Sequence, residues 1–110
     1  MAMVYEHFAG FASRLAAPLQ DAASSLTLPE ADTARLKERL RGDKYTTLRV
    51  SDGTNIEYVR VSGIGSDGDL TFERGREGTE ARAFPAGSCV SWELAPSDVR
   101  DIVCQMECCD

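Results

Sequence analysis

Glycine is concentrated in the middle of this chain, and its spacing is the feature that most limits the possible folds. Eight of the nine glycines lie between positions 42 and 87. They separate short segments in which apolar and polar residues alternate, the pattern of half-buried strands joined by tight turns. Strands are predicted at residues 45–50, 56–61, 70–73 and 89–94. The pattern predicts a β-rich (α+β) fold, either a small antiparallel β-meander or a partly closed barrel.

Two helices are predicted on either side of these strands. The first, near residues 30–41, follows Pro29, begins with acidic residues, ends with basic ones and stops at Gly42. The second lies near residues 97–108. Before the first helix, residues 14–19 and 24–28 are predicted to be short extended pieces joined by a turn. The predicted core consists of Leu36, Leu48, Val59, Val61, Leu70, Phe72, Val90 and Trp92, with Trp92 as its largest member.

The length and charge of the chain exclude several classes of protein. Its 110 residues fit a single domain, 1–110, and its net charge of −6 disfavours non-specific binding to nucleic acid. It contains no apolar run long enough to span a membrane and no signal peptide, so we expect synthesis and folding in the cytoplasm. The folded part is predicted at about residues 14–108. Residues 1–13 are apolar but carry weak structural signals, and they are predicted to be an arm that docks onto neighbouring subunits.

Polar residues offer little sign of catalysis, and no catalytic, cofactor-binding or metal site is predicted. The single histidine, His7, is expected to be an exposed residue near the terminus. A calcium loop starting at Asp67 would need glutamate at its twelfth position, which is Gly78. Residues 74–79 lack the Gly-Lys-Ser/Thr ending of a phosphate-binding loop. These segments are therefore interpreted as structural turns.

The four cysteines are the strongest chemical oddity, since Cys89, Cys104, Cys108 and Cys109 all fall in the last 22 residues. If residues 96–108 are helical, Cys104 and Cys108 share one face. Four thiolates could bind zinc or an iron–sulfur cluster, or one cysteine could form a disulfide across subunits. The run lacks paired C-x-x-C motifs, which favours free thiols. A small metal- or redox-active protein that uses these cysteines is the alternative function.

Residues 70–87 carry the most specific pattern in the chain. An apolar-Thr-apolar strand leads into Arg-Gly-x-x-Gly-Thr and then Ala-x-Ala-aromatic-Pro-x-Gly. This segment resembles a signature of small tail and tail-tip proteins of tailed bacteriophages and prophages. The resemblance extends over about residues 14–94, including the strand around Glu57. The matching residues of the motif are Leu70, Arg74, Gly75, Gly78, Thr79, Ala81, Ala83, Phe84, Pro85, Gly87 and Val90.

This resemblance implies a non-enzymatic virion structural protein of the tail tip or baseplate. It would contact other tail proteins, form a homo-oligomer in the virion, and reside in the host cytoplasm before assembly. The motif loop, fixed by Pro85, is expected to form a rigid surface lobe. Its Arg74 is expected to be free to pair with a carboxylate of the same or a neighbouring subunit. A carbohydrate- or oligonucleotide-binding barrel is a third possibility that rests on fold type alone.

Overall fold

The computed structural model describes residues 4–8, 10–42, 44–63 and 70–92 of the chain. These residues contain one α-helix and six β-strands. The predicted helix near 97–108 and the cysteines at 104, 108 and 109 lie outside them. In chain order the elements are β1 (Val4–Tyr5), β2 (Ala12–Arg14), α1 (Glu30–Arg39), β3 (Lys44–Ser51), β4 (Ile56–Ser62), β5 (Thr71–Arg76) and β6 (Cys89–Trp92).

The strands form one sheet, with the order β2-β6-β3-β4-β5 and antiparallel pairing along that path. The two-residue strand β1 pairs in parallel with β3 at Tyr45. The β-rich fold and its meander β3-β4-β5 are therefore confirmed. In the described part of the chain the sheet is open, not a barrel, because β6 returns to β3 and pairs with β2 instead of closing onto β5.

The meander follows the predicted alternation. Leu48 of β3 lies opposite Val59 of β4, and both side chains are buried. In the connecting turn, the Asp52 carboxylate accepts hydrogen bonds from the backbone N–H groups of Asn55 (2.7 Å) and Thr54 (2.9 Å). These bonds stabilise the ionised form and lower the pKa of Asp52. Asp52 and Gly53 thus form the hydrogen-bonded turn that an Asp-Gly pair favours between two strands.

Helix α1 occupies the predicted position and packs Leu36 and the residue after its end, Leu40, against the sheet. Its end lies very close to the end of β4. A β-carbon at Gly63 would collide with the carbonyl oxygen of Leu40 and lie 3.0 Å from its carbonyl carbon. Glycine at position 63 is what allows the two backbones to approach this closely.

The core contains five of the eight predicted side chains. These five are each 0% exposed: Leu36, Leu48, Val59, Val61 and Val90. The prediction is wrong for the other three, Leu70, Phe72 and Trp92, which are only partly buried against the cluster. Phe72 lies on β5, and Leu70 immediately precedes that strand. Strand β5 is the last strand at one edge of the sheet. The indole N–H of Trp92 donates to the hydroxyl oxygen of Tyr5 at 3.0 Å, and a partly polar site suits that group.

The predicted docking arm at residues 1–13 needs correction where the structure describes it. Tyr5, Phe8 and Phe11 are 8%, 4% and 2% exposed, and both phenylalanines belong to the core cluster. Backbone hydrogen bonds join this segment to the sheet, from Glu6 N–H to the Tyr45 carbonyl and from Trp92 N–H to the Phe11 carbonyl. Such bonds come from residues distant in sequence, so local signals could not reveal them.

The two predicted extended pieces at 14–19 and 24–28 form an irregular hairpin under the sheet. The Ala16 N–H donates to the Thr27 carbonyl at 2.8 Å, and the turn closes with a bond from Ala23 N–H to the Gln20 carbonyl. Four leucines of this hairpin are buried: Leu15, Leu19, Leu26 and Leu28. The hairpin therefore supplies one wall of the core.

Candidate functional site

The motif segment is organised around the buried carboxylate of Glu57. Glu57 is the second residue of β4 and shares the inward face with Val59 and Val61. Its side chain is 0% exposed. An isolated carboxylate would be costly in this position, so its partners decide whether the fold is possible.

Arg74 of β5 supplies the compensating charge. Its Nε and Nη2 donate to the two carboxylate oxygens of Glu57 at 2.6 and 2.8 Å, a bidentate pair. Nη1 donates to the carbonyl oxygens of Gln20 (2.9 Å) and Ala23 (2.8 Å), and Nη2 also donates to that of Arg82 (2.7 Å). All five guanidinium N–H groups are thus used within the chain. Arg74 pairs with the same subunit and has no donor left for a neighbouring one.

Glu57 accepts two further hydrogen bonds, each 2.9 Å long, from the backbone N–H groups of Gly75 and Arg82. Burial by itself raises the pKa of this carboxyl group. The hydrogen bonds and positive charge of Arg74, together with the two backbone donors, outweigh burial and hold the pKa below its ordinary value. We call Glu57, Arg74 and these backbone partners the anchor. The anchor joins β4, the turn of the 14–28 hairpin and the motif loop.

A β-bulge follows Arg74 in strand β5. Arg60 and Tyr58 of β4 pair with Glu73 and Arg76 of β5, so an advance of two residues on β4 matches three on β5. The extra residue lies at Gly75, where φ is +63°. Arg74 faces the core by alternation from Phe72, which pairs with Val61, and the extra residue turns Arg76 to the other side of the sheet.

The rest of the motif shapes the same loop. Gly78 has φ of +78°, and the Thr79 hydroxyl oxygen accepts from Tyr58 N–H (3.0 Å) and donates to the Arg76 carbonyl (2.6 Å). Phe84 is buried and exchanges two backbone hydrogen bonds with Leu19. Thr79 thus joins the loop to β4, and Phe84 joins it to the hairpin.

Gly75 and Gly78 both have positive φ, +63° and +78°. Replacing Gly75 with valine should cost about 1–3 kcal/mol of strain, the typical range for a forced backbone conformation. The loss should exceed that of Gly78→Val, because a β-carbon at Gly75 would also lie 3.2 Å from the Thr79 carbonyl oxygen. Urea denaturation measures both. Gly78→Asn is the matched control, since asparagine tolerates positive φ. Equal stability of all three variants would contradict the shaped loop.

Acid is expected to weaken the fold through Glu57. Because its pKa in the folded chain lies below the ordinary 4.5, its contribution to stability is complete above pH 4.5 and is lost as pH falls through the lowered pKa. Thermal melts of a Glu57→Gln variant should therefore show a shallower loss of stability below pH 4.5 than the parent. Asp52 titrates in both proteins, so the difference isolates Glu57. Identical acid dependence would show that Glu57 is not held ionised.

The other candidate residues do not converge on one site in the part of the chain that is described. Cys89 is exposed and borders an open cleft of about 390 Å³ with Arg14, Arg49 and Asp52. His7 is exposed as expected, with its ring edge against Trp92 at 4.8 Å between centroids. No cluster of three or more His, Cys, Asp or Glu side chains suited to a metal ion occurs among the described residues. Residues 64–69, including Asp67, lie outside them.

Comparison with protein-family models finds no family that matches this chain, and comparison with curated proteins finds no significant match. Within the described ranges, no helix is long and apolar enough to cross a membrane.

Proposed function

We propose that this chain is a non-enzymatic structural protein of a tailed phage that assembles into the tail tip or baseplate. The observation that supports the proposal is the structural role of the residues in the phage-like motif. Its Arg74, Gly75, Gly78 and Thr79 all shape the chain's own loop. The polar groups of this segment form hydrogen bonds within the loop and to its neighbouring strands. Such a segment suits a structural role better than a catalytic one.

Rigidity is what a repeated assembly requires of such a lobe. A surface that is already ordered loses less conformational entropy when it binds, so the same contacts give tighter association. The anchor supplies this order beneath residues 80–83, whose side chains are exposed. These residues are the part of the lobe available for contacts with other tail proteins or with further copies of the chain under rotational symmetry.

The net charge fits the same role. At −6, free subunits in the host cytoplasm repel one another and stay soluble until they are incorporated. The partners proposed are other tail or baseplate proteins, with no role for nucleic acid or membrane.

The proposal is tested in the phage or prophage that encodes the chain. Deleting the gene should give particles with defective tails, and mass spectrometry of purified wild-type particles should detect the chain. Complementation with a Glu80→Arg/Arg82→Glu variant should fail although its thermal melt matches wild type, because both side chains are exposed. Complementation with an Ala86→Ser control should succeed.

Normal tails without the gene, or absence of the chain from purified particles, would overturn the proposal. Elemental analysis and a visible absorption spectrum of the purified protein provide the second arm. One zinc or iron per chain, lost in a Cys104→Ser/Cys108→Ser variant, would favour the metal or redox alternative instead.

A further inference from the structure

The two edges of the sheet differ in what lies beside them. Strands β2 and β5 are the end strands. Beside β2, the Ala16 N–H donates to the Thr27 carbonyl at 2.8 Å, and the Ser13 hydroxyl donates to Asp32 of α1 at 2.6 Å. Beside β5, residues 71–73 have no backbone hydrogen bond to any described segment other than β4. An edge of this kind is open to pairing with another strand.

Two hydrogen bonds fix the directions in which the backbone groups of β4 point. The Gly63 N–H, next after β4, donates to the Lys44 carbonyl of β3 at 3.2 Å. The Tyr58 N–H points the other way and donates to the Thr79 hydroxyl oxygen at 3.0 Å, on the β5 side. Backbone groups of successive residues in a strand face alternate neighbours. Residues 58, 60 and 62 of β4 therefore face β5.

The same alternation leaves one residue of β5 with outward-facing backbone groups. Thr71 lies opposite Ser62 and Glu73 lies opposite Arg60, so the backbone groups of Thr71 and Glu73 face β4. The N–H and C=O of Phe72, between them, face away from the sheet. Neither group has a hydrogen-bond partner among the described residues. Phe72 thus offers one donor and one acceptor at the edge.

The side chains beside this edge suit a second copy of the same strand. Phe72 lies opposite the buried Val61, on the core side of the sheet, and it is only partly buried, as is Leu70. Thr71 and Glu73 lie on the other side, where the Glu73 side chain keeps 46% of its surface exposed. An apolar pair on one side and a hydroxyl next to a carboxylate on the other complement themselves when the strand is repeated in the antiparallel direction.

We propose that β5 pairs with β5 of a second copy of this chain, antiparallel about a two-fold axis at Phe72. The two Phe72 residues exchange their N–H and C=O groups, with Cα atoms about 5.5 Å apart. Their rings and the flanking Leu70 side chains form one apolar stripe across the two copies. Thr71 of each copy lies opposite Glu73 of the other, and its hydroxyl donates to that carboxylate.

Charge and backbone shape select this register. An axis at Glu73 would set two carboxylates opposite each other, which is destabilising. The bulge at Gly75 ends the pairing on one side, because the Thr79 carbonyl oxygen lies only 3.2 Å from the position of a β-carbon there. The interface is therefore short. It supplies one contact of the homo-oligomer, and its place in the virion rests on the function proposed above.

The test measures self-association of the purified full-length chain by sedimentation, up to about 1 mM because a short interface binds weakly. The wild-type mass should rise from monomer to dimer with concentration. Thr71→Glu sets a carboxylate opposite Glu73 twice per dimer, so the dissociation constant should rise about tenfold. Thr71→Lys should lower it by a similar factor, and Thr54→Glu, in the exposed β3–β4 turn, should leave it unchanged. A wild-type monomer at every concentration, or equal effects of the two Thr71 variants, would overturn the proposal.

Amide hydrogen exchange followed by NMR locates the interface. Exchange at the Phe72 N–H should slow as the dimer forms, whereas the N–H groups of Thr71 and Glu73, already bonded to β4, should exchange slowly at every concentration. A dimer that leaves Phe72 exchange unchanged would place the interface elsewhere and overturn the proposal. Because both measurements use purified protein, their failure leaves the proposed function standing. Absence of the chain from particles would overturn that function and leave the pairing.

Discussion

Replacing Arg74 with alanine is expected to lower the free energy of unfolding by about 3–5 kcal/mol, the usual cost of removing one member of a buried ion pair. Most of this loss comes from the polar groups that would be left without a partner, and less from the lost attraction between the two charges. Glu57 would stay at 0% exposure without its cation, and the carbonyl groups of Gln20 and Ala23 would lose their donor. Urea or thermal denaturation measures the loss, and Glu57→Ala should give a similar one.

Arg76→Ala is the matched control, since this arginine is two residues away on the same strand but its side chain is 33% exposed. Its loss should stay within about 0.5 kcal/mol. The double variant Glu57→Leu/Arg74→Met should lose less stability than the sum of the losses of the Glu57→Leu and Arg74→Met single variants, because it leaves no buried charge unpaired. Strict additivity, or a loss below 1 kcal/mol for Arg74→Ala, would contradict the anchor.

Phe11→Ala is expected to cost about 3–5 kcal/mol, the range for truncating a buried phenylalanine. The ring is 2% exposed and contacts Phe8 at 4.9 Å between centroids, with the Arg35 guanidinium 5.5 Å from it. Deleting residues 2–12 should therefore unfold the domain instead of releasing an arm. Circular dichroism and urea denaturation check both results.

Phe72→Ala serves as the control for Phe11→Ala because it removes the same atoms from a partly buried site on β5. It should cost clearly less. A deletion variant that melts cooperatively at the wild-type temperature would restore the docking arm.

Local patterns predicted most of the sheet and the helix, and the reason is visible in individual elements. Strand β3 alternates Leu48 and Val50 with polar residues, and Asp52-Gly53 closes its hairpin by bonds within four residues. Helix α1 carries its own start and stop signals at Pro29 and Gly42. Each of these signals acts over a few residues, so a single sequence can reveal it.

The anchor could not be predicted in the same way. Glu57 looks like a solvent-exposed charge by residue type, and its main partner is 17 positions further along the chain. One signal was available: Glu57 occupies the same inward parity as Val59 and Val61. A charge at an inward position calls for a buried partner. The bulge at Gly75, which lets Arg74 and Arg76 lie on opposite faces of the sheet, depends on strand register, which hydrophobic alternation alone does not fix.

The predicted docking arm at the N-terminus was wrong for a related reason. Phe8 and Phe11 lie in a segment with weak local structure, and their burial depends on α1 and on β6, far along the chain. Weak local propensity predicts a free arm, whereas long-range hydrogen bonds and aromatic contacts hold this segment against the rest of the fold.

The anchor also has a consequence for how this domain can change through descent. Because losing either Glu57 or Arg74 leaves the other charge stranded, a single substitution at one position is a step that selection removes. The two positions should therefore be inherited as a unit, either both kept or both replaced by apolar residues. A glutamate 17 positions before an Arg-Gly-x-x-Gly-Thr sequence would then mark descendants of this fold long after their surfaces have diverged.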